Sequence, residues 1–181
     1  MPRILIVTGE ASGDLHGAHL VKALKELSPA LQIVGVGGAS MRAAGAELVK
    51  DIPQLDVMGL IGLSAVKTML QRISRIRTLI KGERWDLVVL IDNPGLNFHF
   101  ARVARACGLK VLYYIAPQVW AWRRGRMRWI QQRVDHVLAI LPFEEPLYKK
   151  AGVRCTFVGN PLLDEVAPSY DRQALRRQFG L

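Results

Sequence analysis

Residues 3–27, RILIVTGEASGDLHGAHLVKALKEL, contain the pattern that decides the fold. The run RILIVT (3–8) is short, apolar and rich in β-branched residues, which is typical of a buried strand. The apolar spacing after the glycine-containing turn predicts a helix over 14–27, and a strand that leads directly into a helix opens a βαβ unit. The turn carries two carboxylates, Glu10 and Asp14, that would repel a phosphate, and it lacks the GxGxxG pattern. It is therefore not typical of a nucleotide-binding loop.

The same strand–helix unit recurs along the chain. Further strands are predicted at 32–37, 86–91, 110–115, 136–141 and 155–159, and further helices at 63–81, 97–107 and 144–151. Most of these strands are apolar on successive positions, as strands buried on both faces are. We therefore expect an α/β fold with a Rossmann-like, doubly wound parallel sheet. We expect this domain to span residues 1–162, and residues 163–181 to be a linker and a helix start that lead toward a further domain.

Composition narrows the class of protein. A chain of 181 residues can bury one α/β core, and its formal net charge of +10 indicates an anionic partner, either nucleic acid, an acidic membrane surface or a phosphorylated ligand. Cys107 and Cys155 form no CxxC pair, so neither a disulfide framework nor a zinc site is indicated. Asp14, His16 and His19 make only a weak metal-binding pattern. The sequence shows neither a signal-peptide pattern nor about 18 consecutive apolar residues, so we expect a cytoplasmic protein.

Asp92 is the first candidate for a chemical role. It opens DNPGLN (92–97) directly after the most apolar predicted strand, and the carboxyl ends of parallel strands are where such sheets bind their ligands. A carboxylate there can act as a general base. Asp-Asn-Pro-Gly is equally good turn chemistry, and the spacing alone does not choose between the two interpretations.

A basic, aromatic segment follows. APQVWAWRRGRMRWIQQR (116–133) contains three tryptophans and five arginines, and no Asp or Glu occurs between Asn93 and Val134. Arginine binds phosphate oxygens in a fork geometry, and tryptophan stacks on sugar rings or lies at membrane interfaces. The alternative is a solvated basic helix whose tryptophans anchor it in the core.

Residues 57–82 also lack acidic side chains. Their helical part can pack on the sheet, which is the default expectation. The preceding VMGLIGL (57–63) is more apolar than one packed helix needs, and a basic amphipathic element with surplus apolar residues is typical of a membrane surface. The predicted membrane-contact residues are Val57, Met58, Leu60, Ile61, Leu63, Val66, Met69 and Leu70.

Six motifs together resemble the lipid-A-disaccharide synthase family. They occur in order along the chain as GEASGD (9–14), GVGGASMRAAGAE (35–47), DNPGLN, APQVWAWRRGR (116–126), LPFE (141–144) and FVGNP (157–161). The resemblance implies an inverting glycosyltransferase of the two-domain GT-B fold that uses no metal or other cofactor. Family members are about twice this length, so the chain resembles their amino-terminal, acceptor-binding half, which we expect to be inactive alone.

The resemblance also implies substrates and a location. Such enzymes transfer 2,3-diacylglucosamine from UDP to 2,3-diacylglucosamine 1-phosphate and form the β-1,6 disaccharide of lipid A. The implied partners are the UDP-diacylglucosamine donor, the diacylglucosamine 1-phosphate acceptor and the cytoplasmic face of the inner membrane, where the enzyme would be peripheral. No nucleic-acid partner is implied, and a homodimer is left open.

Roles follow for residues that match the family's motifs. Asp92 is expected to be the base that deprotonates the acceptor's 6-hydroxyl, with Glu10 as the second candidate. The residues expected to bind the acceptor are Gly13, Asp14, Asn97, Trp120, Trp122, Arg123 and Arg124. The chain departs from the family's usual residues at Gly95, Leu96, Ala116, Gln118 and Asn160.

Two other classes of function remain as alternatives. A nucleic-acid-binding domain would use the Arg/Trp segment for phosphates and base stacking, but it leaves VMGLIGL and Asp92 unexplained. A nucleotide-sugar enzyme complete in one domain, such as an epimerase, would need GxGxxG after the first strand, where this chain has TGEASG.

Overall fold

The structure is a computed structural model that describes residues 1–50, 52, 63–118, 125–165 and 171–180. In these ranges the strands are β1 (Arg3–Thr8), β2 (Gln32–Val36), β3 (Glu47–Leu48), β4 (Leu87–Ile91), β5 (Val111–Tyr114), β6 (His136–Ala139) and β7 (Cys155–Phe157). The helices are α1 (Ala11–Leu27), α2 (Ala39–Ala43), α3 (Leu63–Gly82), α4 (Pro94–Ala106), α5 (Gly125–Arg133), α6 (Glu144–Lys150), α7 (Leu162–Glu165) and α8 (Arg172–Gln178).

The strands form one parallel sheet in the order β3-β2-β1-β4-β5-β6-β7. The chain winds outward from β1 in one direction and then returns to build the other half from β4, so the predicted doubly wound parallel sheet is confirmed. All six predicted strands are present, and the two-residue edge strand β3 is an addition. The place where the winding direction reverses lies between β1 and β4.

The register of the central strands brings their carboxyl ends into line. Thr8 pairs with Ile91, Ile91 with Tyr114 and Tyr114 with Leu138. The loops that leave β1, β4 and β5 therefore start side by side along one edge of the sheet. Open α/β sheets bind ligands at this edge.

Both faces of the sheet are buried. Alternate residues of a strand point to opposite faces. Leu5 and Leu90 contribute to one core cluster, which also contains Phe100 of α4 and Ile130 of α5. Ile6 belongs to the cluster on the other face, where α1 and α2 pack. Burial on both sides explains why the strand sequences are apolar at successive positions.

Helix α3 divides into two parts. Ile76 and Ile80 are buried in the core, in agreement with the default expectation for an amphipathic helix. Nearer its start, Val66 is 53%, Met69 37% and Leu70 59% exposed. The core therefore uses the apolar residues of the last turns and leaves those of the described first turns at the surface. Among the described helices, none is both long and apolar enough to cross a membrane.

A cluster of charged side chains lies at the opposite edge of the sheet, where the strands begin. Asp135 accepts a hydrogen bond from the Val111 amide at 2.9 Å and lies 3.1 Å from Arg105, 3.7 Å from Lys110 and 4.0 Å from Arg154. Burial alone would raise the pKa of Asp135, but the amide hydrogen bond and the nearby cations outweigh burial and hold its pKa below the usual range. The cluster joins segments next to α4, β5, β6 and β7.

Candidate functional site

A crevice of about 280 Å³ opens at the carboxyl ends of β4 and β5. It lies at the carboxyl edge of the sheet, where open α/β sheets bind ligands, one strand beyond the point between β1 and β4 at which the chain winding reverses. Its lining combines a carboxylate, a guanidinium and a largely apolar wall, and it consists of Asp92, Pro94, Ile115, Ala116, Pro117, Gln118 and Arg126.

The backbone is strained where the strands enter this crevice. Asp92 has φ 50°, Asn93 has φ 40° and Ile115 has φ 56°. Left-handed conformations of residues other than glycine cost about 1–3 kcal/mol each and persist only where the surroundings enforce them. The β-branched side chain of Ile115 makes its conformation especially unfavourable. Such residues cluster at ligand sites, and here all three lie on two neighbouring strand ends.

Two buried side chains enforce the strained turn at Asp92. The Asn97 amide donates to the Ile91 carbonyl at 2.9 Å and to the Asp92 carbonyl at 2.7 Å, and the Tyr113 hydroxyl donates to the same Asp92 carbonyl at 2.8 Å. Burial, and then the nearby Asp92 charge, hold the pKa of Tyr113 well above its usual range, so its hydroxyl stays protonated and donates. We call Asn97 and Tyr113 the carbonyl clamp. The clamp fixes the backbone that carries the Asp92 side chain.

The loops after β1 and β4 contact each other. Asn93 caps α4 by accepting a hydrogen bond from the Leu96 amide at 3.3 Å. Its side chain lies against Gly9, where any Cβ atom would overlap it. Only glycine therefore allows this close approach. Glu10 follows at the N-cap of α1 with an exposed side chain, which leaves its carboxylate accessible next to the Asp92 loop.

Asp14 was expected to bind the acceptor, but its side chain is buried against the start of α2. It is 3% exposed, and its carboxylate accepts hydrogen bonds from the amides of Gly38 at 2.6 Å, Ser40 at 3.0 Å and Met41 at 3.2 Å. These amides lie at the start of α2, whose dipole favours a carboxylate there. Asp14 therefore has a structural role, since its carboxylate is buried and bonded to main-chain amides. Gly13 is buried beside it, where a Cβ atom would approach Thr8 Cβ to 3.2 Å.

Asn97 also differs from its expected role. It is 1% exposed, and its amide nitrogen bonds two main-chain carbonyls. A side chain in this position acts on a ligand through the backbone it holds, so Asn97 is a positioning residue rather than a contact residue. Tyr113 was not predicted for the site, because within the apolar strand it is indistinguishable from a core aromatic.

Arg126 lines the crevice and was also not predicted for the site. It stands near the start of α5, with its guanidinium carbon 5.3 Å from the Phe98 ring centroid. Phe98 packs on Trp129 with ring centroids 4.2 Å apart. The signal that could have identified Arg126 is its membership of the Arg/Trp segment, in which Arg123 and Arg124 are the arginines predicted to bind the acceptor.

Several predicted site residues lie outside the described ranges. Trp120, Trp122, Arg123 and Arg124 are among them, as are Val57, Met58, Leu60 and Ile61. Leu63 starts α3, but its side chain is not described. Val66, Met69 and Leu70 are described and exposed. Within the described ranges, no group of three His, Cys, Asp or Glu side chains could hold a metal ion.

Comparison with known proteins gives a family match. The family model for lipid-A-disaccharide synthetase matches residues 4–181. A lipid-A-disaccharide synthase of Geobacter metallireducens is 48% identical over 180 residues, which are 99% of this chain and 47% of that protein. The synthase of Coxiella burnetii is 44% identical over 179 residues, 98% of this chain and 48% of that protein. The chain thus spans about half the length of the curated relatives it matches.

Comparison with solved structures shows the fold. A putative UDP-N-acetylglucosamine 2-epimerase from Listeria monocytogenes matches with a TM-score of 0.66 at 14% identity, over 97% of this chain and 50% of that one. Acinetobacter baumannii MurG matches with a TM-score of 0.55 at 12% identity, over 95% of this chain and 47% of that one. At such low identity the likeness concerns architecture only, and it confirms a Rossmann-like α/β domain.

Proposed function

The chain belongs to the lipid-A-disaccharide synthase family, and on that premise we propose that it is the acceptor-binding part of a GT-B glycosyltransferase. The complete enzyme would transfer 2,3-diacylglucosamine from UDP to 2,3-diacylglucosamine 1-phosphate with inversion. The observation that carries the proposal is the Asp92 carboxylate, presented to a crevice by a strained turn that the carbonyl clamp holds. The donor would be bound mainly by the part of the protein outside this chain, so the chain alone would be inactive.

In this proposal Asp92 is the general base. Its carboxylate takes the proton of the acceptor's 6-hydroxyl while that oxygen attacks the donor's anomeric carbon. The bond from the anomeric carbon to the UDP oxygen breaks, and UDP leaves with the bonding pair. A base positioned within hydrogen-bond reach of the hydroxyl contributes typically about 10²–10⁴-fold to the rate. Glu10 is the second candidate because its exposed carboxylate stands on the adjacent loop.

Acceptor binding is assigned to the loops around the crevice. The start of α1, which contains Gly13, would bring main chain close to the sugar. Trp120 and Trp122 would stack on the sugar ring, and Arg123 and Arg124 would bind anionic groups. These roles rest on the family motif that includes them. The family match gives no support to a nucleic-acid-binding function.

We also propose that α3 contacts the cytoplasmic face of the inner membrane. Val66, Met69 and Leu70 form an exposed apolar surface at the described start of the helix, directly after the apolar VMGLIGL segment. Exposed Lys67 on the same turns would favour anionic lipid by about 1 kcal/mol. If the enzyme docks on the bilayer, the acyl chains of both substrates need not enter water. Their exposure to water would cost about 0.8 kcal/mol per CH₂ group.

The experiment that tests the reaction uses the full-length protein. UDP release from UDP-2,3-diacylglucosamine is measured with and without 2,3-diacylglucosamine 1-phosphate. We expect release only when the acceptor is present, together with a disaccharide product of β configuration. UDP release that is independent of the acceptor, or a disaccharide of α configuration, would contradict the proposal.

Vesicle co-sedimentation tests the membrane surface. Salt screens charge attraction but not apolar insertion, so the wild type should stay partly bound to anionic vesicles at high salt. Val66→Ser/Leu70→Ser should be released, and so should the triple variant Leu60→Ser/Ile61→Ser/Leu63→Ser. Leu27→Ser is the matched control, because Leu27 is 85% exposed at the end of α1 and should not change binding. Complete release of the wild type at high salt would mean that only charge is involved.

A further inference from the structure

Arg126 brings a positive charge into the crevice. It lines the same cavity as Asp92 and is half-buried. Among the residues that the structure describes, no carboxylate lies within ion-pair distance of its guanidinium and no acceptor takes a hydrogen bond from it. A partly buried arginine without a partner is unusual, because desolvation of a charge is costly unless something compensates for it.

Aromatic packing holds the guanidinium in place. Its central carbon lies 5.3 Å from the Phe98 ring centroid, within the range of a cation–π contact. Phe98 is itself fixed by Trp129 at 4.2 Å and by Tyr113 at 6.4 Å between ring centroids. The guanidinium contacts the face of the Phe98 ring, and this contact leaves the N–H groups of the guanidinium available as hydrogen-bond donors. Tyr113 belongs to the carbonyl clamp, so the same aromatic group sets the positions of Arg126 and of the Asp92 backbone.

We propose that Arg126 binds the phosphate monoester of the acceptor, an inference that rests on the proposed function. The planar N–H fork of arginine matches two phosphate oxygens. Among the described residues of the lining, the charged groups are one carboxylate and one guanidinium, and the acceptor carries its reacting hydroxyl and its phosphate at opposite ends of one sugar. Phosphate at Arg126 therefore selects the hydroxyl that reaches Asp92. Arg126 determines the specificity of the reaction as well as the affinity.

The test combines enzyme variants with two acceptors in the full-length protein. Arg126→Ala and Arg126→Lys are compared with Arg128→Ala, the matched control from an exposed position on the same helix. One acceptor carries the 1-phosphate, and the other carries a hydroxyl there. For the phosphorylated acceptor we expect Arg126→Ala to raise the acceptor KM roughly 10- to 100-fold, the usual scale of a charge-assisted hydrogen bond. Arg126→Lys should fall between Arg126→Ala and the wild type, because it keeps the charge and loses the fork.

The second acceptor separates binding of phosphate from a structural effect. Arg126→Ala should change its KM by less than about threefold, because the phosphate is already absent. An equal loss with both acceptors, or a lowered melting temperature of Arg126→Ala, would overturn the assignment in favour of a structural role. A rise in the donor KM instead would assign Arg126 to the donor's diphosphate. If the wild type releases UDP with acceptor and Arg126→Ala matches it, only this inference fails. If the wild type does not respond to the acceptor, the proposed function fails and this inference with it.

Discussion

Removal of the carbonyl clamp should destabilise the fold in a graded way. Asn97→Ala deletes two hydrogen bonds of 2.9 and 2.7 Å from a side chain that is 1% exposed. Each bond contributes about 1 kcal/mol, and a buried carbonyl that loses its donor adds about 1–3 kcal/mol. The Asp92 carbonyl keeps the Tyr113 hydroxyl at 2.8 Å, so only the Ile91 carbonyl loses this side-chain donor without a substitute. We expect the free energy of unfolding to fall by about 3–5 kcal/mol.

Tyr113→Phe removes one bond and leaves the Asp92 carbonyl bonded to Asn97. Its cost should therefore be only about 0.5–1.5 kcal/mol. Tyr148→Phe is the matched comparison, since the buried Tyr148 hydroxyl donates to the Pro117 carbonyl at 2.9 Å. The two tyrosine variants should lose similar stability. Tyr113→Phe should lower kcat more than Tyr148→Phe does, because only Tyr113 bonds the backbone that carries Asp92.

Urea unfolding followed by circular dichroism measures the stability of the three variants, and UDP release by the full-length protein measures kcat. Misplacement of a catalytic group by about 1 Å can cost roughly 10²-fold in rate, so kcat of Asn97→Ala should fall on that scale while the protein remains folded. The reasoning is refuted if Asn97→Ala costs less than Tyr113→Phe, or if a folded Asn97→Ala enzyme keeps the wild-type kcat.

Three further outcomes are expected. Asp92→Asn should lower turnover by about 10²–10⁴-fold without loss of fold, and near-normal turnover would transfer the role of base to Glu10. Arg123→Ala/Arg124→Ala should raise the acceptor KM and leave the donor KM nearly unchanged, whereas an equal rise for both would indicate a structural pair. Asp135→Asn should cost about 1 kcal/mol at neutral pH. The pKa of Asp135 is lowered in the folded protein. Its contribution to stability is therefore present above the unfolded pKa and is lost as pH falls through the folded pKa. The melting curves of the wild type and of Asp135→Asn should therefore converge in acid.

The alternation of strands and helices could be predicted because burial on both faces makes each central strand an apolar run. The short elements could not be predicted, since two residues in β3 and five in α2 are too few to show a period. Helix α4 begins at Pro94, three residues before the predicted start, because Asn93 caps it and proline is favourable at a first helical position.

Features of the site that depend on a residue's position after a strand could be predicted from the sequence. Features that depend on contacts between residues far apart in the chain could not. The position of Asp92 at the carboxyl edge could be predicted because it directly follows a buried strand. Tyr113 bonds a carbonyl 21 residues away, and no local pattern shows that contact. Asp14 was expected to bind sugar hydroxyls, and its bonds to the amides at the start of α2 could not be predicted because α2 is too short to show a period. The place of Arg126 in the crevice depends on the packing of α5, which the composition of the Arg/Trp segment does not determine.

The strand order has a consequence for folding on the ribosome. β1 lies between β2 and β4, and the Arg3 amide donates to Asp86, 83 residues later in the chain. At a synthesis rate of about 5–20 residues per second, β1 emerges roughly 4–17 s before β4, the strand that pairs with its other side. During that interval the hydrogen-bonding edge of β1 is unpaired and apolar, which is the kind of edge that recruits strands from other chains. Slow translation between β2 and β4 should therefore increase aggregation of the nascent chain, and a chaperone that covers β1 should prevent it.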